Sequence, residues 1–321
     1  MSTYTNITWA DIEAAHARIA PHIHRTPVLT CRSIDALAAC SLFFKCENFQ
    51  KVGAFKIRGG MNAALSLPAE AAQRGLATHS SGNHAQAVAY AARQLGVKAY
   101  IVMPENSPVV KVNAVRGYGA EVIFCAPNQA AREATLQEIV ERTGAVFIHP
   151  YDDDRVICGQ ATCAKELLED VPGLEAIIAP VGGGGLLSGT CLSAHHLAPA
   201  LPVYAGEPEG AADAVLSVRS GRVEKAPYIN TIADGLLTTL SERTLRIISR
   251  HVRDIFTVSD AEILAALRLV YERVKIVIEP SCAVPLAAVL KHPETFTGKR
   301  VGVILTGGNV DLSRLASWFG Q

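Results

Sequence analysis

This sequence predicts an α/β protein whose mostly parallel strands have helices on both faces, and three observations predict it. Short apolar runs bounded by turn residues recur along the chain. Helical patterns separate most of these runs, which is how parallel strands are joined. With 49% of 321 residues hydrophobic, the chain can bury a large core, and a disordered polypeptide is excluded.

The apolar runs, in order, are LFFKCE (42–47), GLATHS (75–80), KAYIVM (98–103), AEVIFC (120–125), AVFIHP (145–150), AIIAPV (176–181), VYAGEP (203–208) and RVGVILT (300–306). After SSGN, the residues Ala85, Val88, Ala89, Ala92 and Leu95 recur at helical spacing, and Gly96 is placed to end that helix. The segment DAEILAALRLVYERVKI reads as another helix, with Asp260 as its cap. The closely spaced strand–helix units from 65 to 151 read as a small domain, inserted into a larger one made of 1–64 and 152–321.

Thirty basic residues balance thirty acidic ones, so the chain lacks the broad positive field that nucleic acid or an anionic membrane requires. Neither is expected as a partner. The amino-terminal stretch has no secretion-signal pattern, and no uncharged apolar run of about 18 residues follows, so a cytoplasmic location is expected. The eight cysteines show no C-x-x-C spacing and read as reduced, buried thiols.

Two motifs carry chemistry. In APVGGGGLLSGT a strand leads into Gly182, Gly183, Gly184 and Gly185, then a helix near Leu186. Glycines let successive backbone N–H groups approach an anion, and the helix start adds partial positive charge. Neither a dinucleotide fingerprint nor a P-loop fits, since the sixth position from Gly182 or Gly183 is Leu187 or Ser188. Alone, the turn is a phosphate cup or simply a tight strand-to-helix packing site. In GAFKIRGG, Lys56 follows Phe55. Such a lysine is either a snorkelling surface residue or a desolvated amine able to attack an aldehyde.

With SSGNHAQAVA, EPSCAVPLAAVL and TGGNVDL, these motifs stand in the order and at the intervals of the pyridoxal-phosphate enzymes of fold type II. From HRTPV near 24 to TGGNVDL near 312, the chain resembles the serine/threonine dehydratases and serine racemases, 3-hydroxyaspartate dehydratases included. The resemblance implies two open, twisted, mostly parallel sheets flanked by helices, and a homodimer. It implies that Lys56 holds pyridoxal 5'-phosphate covalently and takes the substrate α-proton. Gly182 to Gly185 would bind the phosphate, Asn83 the ring hydroxyl, Phe55 would pack by the ring, and Thr306 would face the pyridine nitrogen. A hydroxyl there leaves that nitrogen largely unprotonated, which suits prompt loss of a β-substituent. Ser80, Ser81, Gly82, Asn83 and His84 would receive the substrate carboxylate, with His84 in a structural role.

The implied reaction is elimination of water from a 3-hydroxy-α-amino acid, giving a 2-oxo acid and ammonia. Ser81 matches the second acid/base of the racemases, so racemisation is the alternative. A binding protein that keeps the fold without chemistry is a further alternative, against which the retained Lys56, glycine turn and Asn83 count. Glu207, the carbonyl of Ala211 and Asp213 match the racemase-like cation site for Mg²⁺ or Ca²⁺. The histidines of HIH (22–24) and His195–His196 lack a completing ligand at zinc spacing. The substrate side chain is expected to meet IADGLLTTL, the region of Arg132 and the loop HPYDDDRVI. An inward Arg132 or Arg155 would favour an acidic substrate. The regulatory domain of biosynthetic threonine dehydratases has no counterpart after TGGNVDL, so isoleucine feedback is not expected and a catabolic role is.

Overall fold

Every apolar run forms a strand in the computed structural model, which describes residues 7–107 and 109–319. Residues 1–6, where the stretch read for a secretion signal begins, lie outside the described residues. The strands are β1 (Val28–Leu29), β2 (Ser41–Cys46), β3 (Leu76–His79), β4 (Ala99–Pro104), β5 (Glu121–Cys125), β6 (Val146–Phe147), β7 (Ala176–Pro180), β8 (Val203–Pro208), β9 (Val252–Val258) and β10 (Arg300–Leu305). They make a six-stranded sheet, β1-β2-β10-β7-β8-β9, and a four-stranded sheet, β5-β4-β3-β6. All pairings are parallel except β1 with β2.

Alternation along the strands shows that both sheets are covered twice. Ala176 and Ile178 of β7 join one core with the Pro280–Lys291 helix, while Ile177 and Ala179 join another with the Gly185–Leu197 and Glu242–His251 helices. In the smaller sheet, Leu76, Ile101 and Met103 pack with the Asn83–Leu95 helix. Ala77, Tyr100 and Val102 face the Gln129–Thr143 helix instead.

Sequence and structure differ at two kinds of place. β1 and β9 are the outer strands of the larger sheet; β1 is only Val28–Leu29, too short to show as a run, and β9 carries exposed Arg253 and Asp254. Ser259, not Asp260, caps the Asp260–Leu269 helix: its side chain accepts from the Glu262 N–H, and Glu262 reaches back to Ser259. The Asp260 carboxylate is free to take the Thr231 hydroxyl at 2.5 Å and the Ile232 N–H at 3.1 Å. Gly96 ends its helix as expected, in the left-handed conformation at φ +68°.

The buried Asp154–Asp170 helix passes between the two helices that begin at the chemical motifs. A Cβ on Gly159 would stand 2.4 Å from the Arg58 carbonyl oxygen, and one on Gly189 would stand 2.6 Å from the Ala161 nitrogen. Only hydrogen at these positions lets the Lys56–Leu65 and Gly185–Leu197 helices come this close. Polar contacts fix the same crossing. The Arg58 guanidinium, wholly buried, donates to Glu47 at 2.7 and 2.8 Å, to Glu166 at 2.8 Å twice, and to Thr162 at 3.0 Å. Lys45 of β2 donates to Glu166 at 2.7 Å and to the Thr26 carbonyl at 2.8 Å.

Burial pushes the Glu166 carboxyl up, but hydrogen bonds from His16 and Arg58 and the charges of Arg58 and Lys45 prevail and hold it well below the usual range. A carboxyl depressed in the folded state contributes stability that is present above its unfolded value of about 4.3 and lost as pH falls below it. Glu166→Gln should therefore destabilise the protein by about 3 to 5 kcal/mol at neutral pH, since it leaves buried positive charge unpaired. The gap from wild type should narrow in denaturant titrations as pH drops below about 4.

Candidate active site

Chain segments far apart in sequence meet at the carboxyl ends of β3, β7 and β10. The Phe55 N–H donates to the Thr306 carbonyl at 3.0 Å, Ala54 bridges Gly307, and the Gly308 N–H donates to the Gly53 carbonyl at 2.9 Å. This ladder sets Lys56, first residue of its helix, beside Thr306, the residue that follows β10. The Lys56 amine donates to the Pro150 carbonyl at 3.0 Å and lies 5.2 Å from the Phe55 ring centre. Burial lowers its pKa to about 8, with the Glu279 charge pulling the other way.

The glycine turn joins β7 to the Gly185–Leu197 helix, one residue earlier than the sequence suggests. Gly184 is left-handed at φ +87°, and a Cβ there would stand 2.7 Å from the Leu240 side chain. Two of the turn's carbonyls are committed: Gly183 accepts from the Thr244 hydroxyl at 3.0 Å, and Gly184 accepts from the Ser188 N–H at 2.8 Å. Among the described residues, no acceptor takes the N–H groups of Gly182 to Gly185. The buried Ser188 hydroxyl is also without a partner.

The loop after β3 leads into the Asn83–Leu95 helix. Ser80 is held to β4 by its N–H on the Val102 carbonyl at 3.2 Å, and its hydroxyl accepts from the Gly82 N–H at 3.3 Å. Ser81 makes no side-chain hydrogen bond among the described residues. His84 is buried, with Nε2 on the Ile148 carbonyl at 2.9 Å; burial first, then the Lys56 charge, lowers its pKa to about 3. Asn83 is clamped on both sides of its amide. Its nitrogen donates to Glu279 at 2.7 Å, and its oxygen accepts from Asn309 at 2.9 Å. Glu279 is pushed up to about 8, chiefly by burial.

Two further motifs read from sequence also take definite positions. Glu207 is fully buried and accepts N–H groups from Ala214 at 2.6 Å and Val215 at 3.0 Å, while Asp213 accepts from Leu240 at 3.0 Å. Burial raises Glu207 to about 8 and Asp213 to about 6. The Ala211 carbonyl accepts from the Asp213 N–H at 3.1 Å. His196 stacks on Trp9 at 4.3 Å, His195 lies 4.6 Å from His251, and His24 contacts the Phe49 carbonyl. Among the described residues, no three His, Cys, Asp or Glu side chains gather as a metal would require.

Of the two arginines singled out for the substrate side chain, Arg155 is committed, bonding Asp153 through Nε at 3.0 Å and through a terminal nitrogen at 2.5 Å. Arg132 sits in the first turn of the Gln129–Thr143 helix, its buried Nε without a partner.

The family described as "Pyridoxal-phosphate dependent enzyme" matches residues 19–307. The chain belongs to that family. It is 51% identical to the β-hydroxyaspartate dehydratase of Paracoccus denitrificans, over 96% of this chain and 98% of that protein. It is 45% identical to the L-threo-3-hydroxyaspartate ammonia-lyase of Saccharomyces cerevisiae, over 97% and 95%. The crystal structure of serine racemase from Dictyostelium discoideum is 50% identical and superimposes with a TM-score of 0.91, covering 95% of this chain and 99% of that one.

The residues present fit the family's cofactor. A turn whose amides are free and whose Gly183 and Gly184 carbonyls are occupied presents donors, as a phosphate needs. A lysine with a lowered pKa lies within the same cleft. Sequence reasoning assigned no role to Glu279, Asn309 or Thr244. The first two lie inside EPSCAVPLAAVL and TGGNVDL, so their motifs were visible although their contacts were not.

With the Lys56 pKa at about 8, the neutral amine should already predominate just above that pH. Covalent loading of the cofactor-free protein, followed by visible absorbance after mixing with pyridoxal phosphate, should accelerate up to about pH 8 and then level. A lysine with the unperturbed value of about 10.4 would keep accelerating to about pH 10.

Proposed function

We propose that the protein is a pyridoxal-phosphate-dependent ammonia-lyase that removes water from a 3-hydroxy-α-amino acid, with 3-hydroxyaspartate as the favoured substrate. The carrying observation is the Lys56 amine, held at the Pro150 carbonyl and able to give up its proton near neutral pH. Pyridoxal phosphate, when bound, supplies an aldehyde that captures an amine and a sink for the electron pair left at the α-carbon. Lys56 would carry it, the N–H groups of Gly182 to Gly185 its phosphate, Asn83 its ring hydroxyl, with Phe55 and Thr306 against the ring.

The chain's own residues then do the following. The loop Ser80–His84 binds the α-carboxylate at the start of the Asn83–Leu95 helix. Lys56 accepts the α-proton and, as an ammonium, returns a proton to the departing β-hydroxyl, which leaves as water. The released enamine hydrolyses to the 2-oxo acid and ammonia. Neutral His84 holds the loop through Ile148. The relatives from Paracoccus and Saccharomyces are named for hydroxyaspartate, and the unpaired Arg132 suits the second carboxylate of such a substrate.

A second reading, racemisation, is favoured by Ser81, whose hydroxyl has no partner among the described residues, and by the likeness to serine racemase. Ser81 would then exchange a proton at the α-carbon together with Lys56. Glu207, the Ala211 carbonyl and Asp213 would hold Mg²⁺ or Ca²⁺, since two buried acids beside a carbonyl are a hard-oxygen donor set. In this reading 65–151 is the small domain, 1–64 with 152–321 the large one, and substrate binds between them. A homodimer is supported by the exposed apolar Val109, Ile229 and Leu312. A cytoplasmic location is supported by eight unpaired cysteines, and no described helix is long and apolar enough to cross a membrane.

Assayed on enantiomers of serine, threonine, 3-hydroxyaspartate and 3-phenylserine, the enzyme should release equal ammonia and 2-oxo acid, fastest with 3-hydroxyaspartate. Inverted amino acid without 2-oxo acid would show racemisation instead. Lys56→Ala should lower turnover by about a thousandfold or more. Arg132→Gln should lower kcat/KM for 3-hydroxyaspartate by about tenfold to a hundredfold relative to serine, the cost of one charged hydrogen-bonded contact.

A further inference from the structure

One phenol in the cleft is used by nothing else in the protein. Tyr151 follows Pro150, whose carbonyl accepts the Lys56 amine at 3.0 Å. Its ring lies against the glycine turn: a Cβ on Gly183 would stand 2.3 to 2.5 Å from Cδ1, Cε1 and Cγ of that ring. The ring of His149 backs it edge-on, with centres 4.7 Å apart and planes at 85°. Among the described residues, the Tyr151 hydroxyl has no hydrogen-bond partner, although a half-buried phenol ordinarily finds one.

The neighbouring groups are sorted by sign. His149 Nδ1 accepts the N–H groups of Asp152 at 2.7 Å and Tyr151 at 3.3 Å, so its neutral ring carries the proton on Nε2. Burial keeps it neutral by lowering its pKa to about 4. The acids at hand are committed elsewhere. Asp152 takes the Ser241 hydroxyl at 3.0 Å and pairs with Arg243, and Glu133 takes Gln129 at 2.6 Å. Three donors are left over, the phenol, His149 Nε2–H and Arg132, whose charge reaches the same cluster at His79, beside one buried acceptor, His84 Nδ1. A surplus of unpaired donors over acceptors favours an anion.

We propose that Tyr151 is a specificity-determining residue, its hydroxyl donating a hydrogen bond to the carboxylate on C3 of the substrate beside Arg132, with His149 as the positioning residue that fixes its ring. This rests on the reading of a 3-hydroxyaspartate-type substrate. A carboxylate has more lone pairs than one guanidinium satisfies, and the phenol supplies a further donor without adding charge that would also attract the phosphate. Substrates bearing only hydrogen, methyl or phenyl at C3 have nothing for it to hold.

Tyr151→Phe tests this in the cofactor-loaded enzyme, because the phenyl ring keeps the packing on Gly183. Calorimetric affinities for succinate and propionate separate the second carboxylate from the first without turnover. The succinate-to-propionate affinity ratio should fall about tenfold in the variant, and the ratio of kcat/KM for 3-hydroxyaspartate over serine should fall by a similar factor. Unchanged ratios, or equal losses for both members of each pair, overturn the proposal and leave Tyr151 a packing residue. Failure of the substrate reading shows separately, as wild-type enzyme that releases no ammonia from 3-hydroxyaspartate; the succinate comparison in the two proteins still decides Tyr151.

Discussion

The Arg58 cation can be buried in the dry interior only while Glu47 and Glu166 surround it, and that constraint fixes the site. Glu47 follows β2, Arg58 lies one residue past Ile57 in the helix that Lys56 begins, and Glu166 belongs to the helix passing beneath both motifs. Lys45 balances the second acid, so the cluster of four is electrically neutral. Such a cluster adds little net stability over an apolar one of equal volume, because desolvation offsets most of the attraction. Its directional bonds instead permit one register of the Lys56 helix, where apolar packing would tolerate several.

The glycine contacts and the charge cluster serve the same crossing. Gly159 and Gly189 bring backbones together from either side of the Asp154–Asp170 helix, and Arg58 then threads its guanidinium across the first of these contacts to Thr162 and Glu166. The outcome is that a lysine and a run of free amides, more than 120 residues apart in sequence, occupy one cleft. Each end of that cleft is specialised. The amides, with their carbonyls tied down by Thr244 and Ser188, suit a phosphate; the lysine, short of water, suits covalent and proton-transfer chemistry.

The amide of Asn83 is set with comparable care. Glu279 and Asn309 fix which end is nitrogen and which is oxygen, and one N–H of the amide stays available for an incoming acceptor. Asn309 is anchored in turn by donating to the Val52 carbonyl at 2.8 Å, where the backbone is left-handed at φ +58°. The strained turn before Lys56 and the loop after β3 are thereby connected through two asparagines and a glutamate, so a change in one is felt by the other.

Much of this was legible in the sequence because its causes are local. Strands of a parallel sheet covered on both faces are apolar runs, so all eight runs became strands, whereas β1, at two residues, is too short to show as one and β9 is interrupted by exposed charges. Lys56 and the four glycines were visible as motifs, and the order of five such motifs along the chain carried the resemblance to the family. Ser259 displaced Asp260 as a cap because Asp260 found partners at Thr231 and Ile232, which lie far away along the chain. Arg132 and Arg155 looked alike until Asp153 took one of them and left the other unpaired. The sequence by itself determined eight of the ten strands, the glycine turn and the place of Lys56 in its motif, since these follow from the sterics and polarity of neighbouring residues. Only the tertiary structure decided which charges pair, which donors stay free and which rings face the cleft, because those outcomes depend on how closely helices cross.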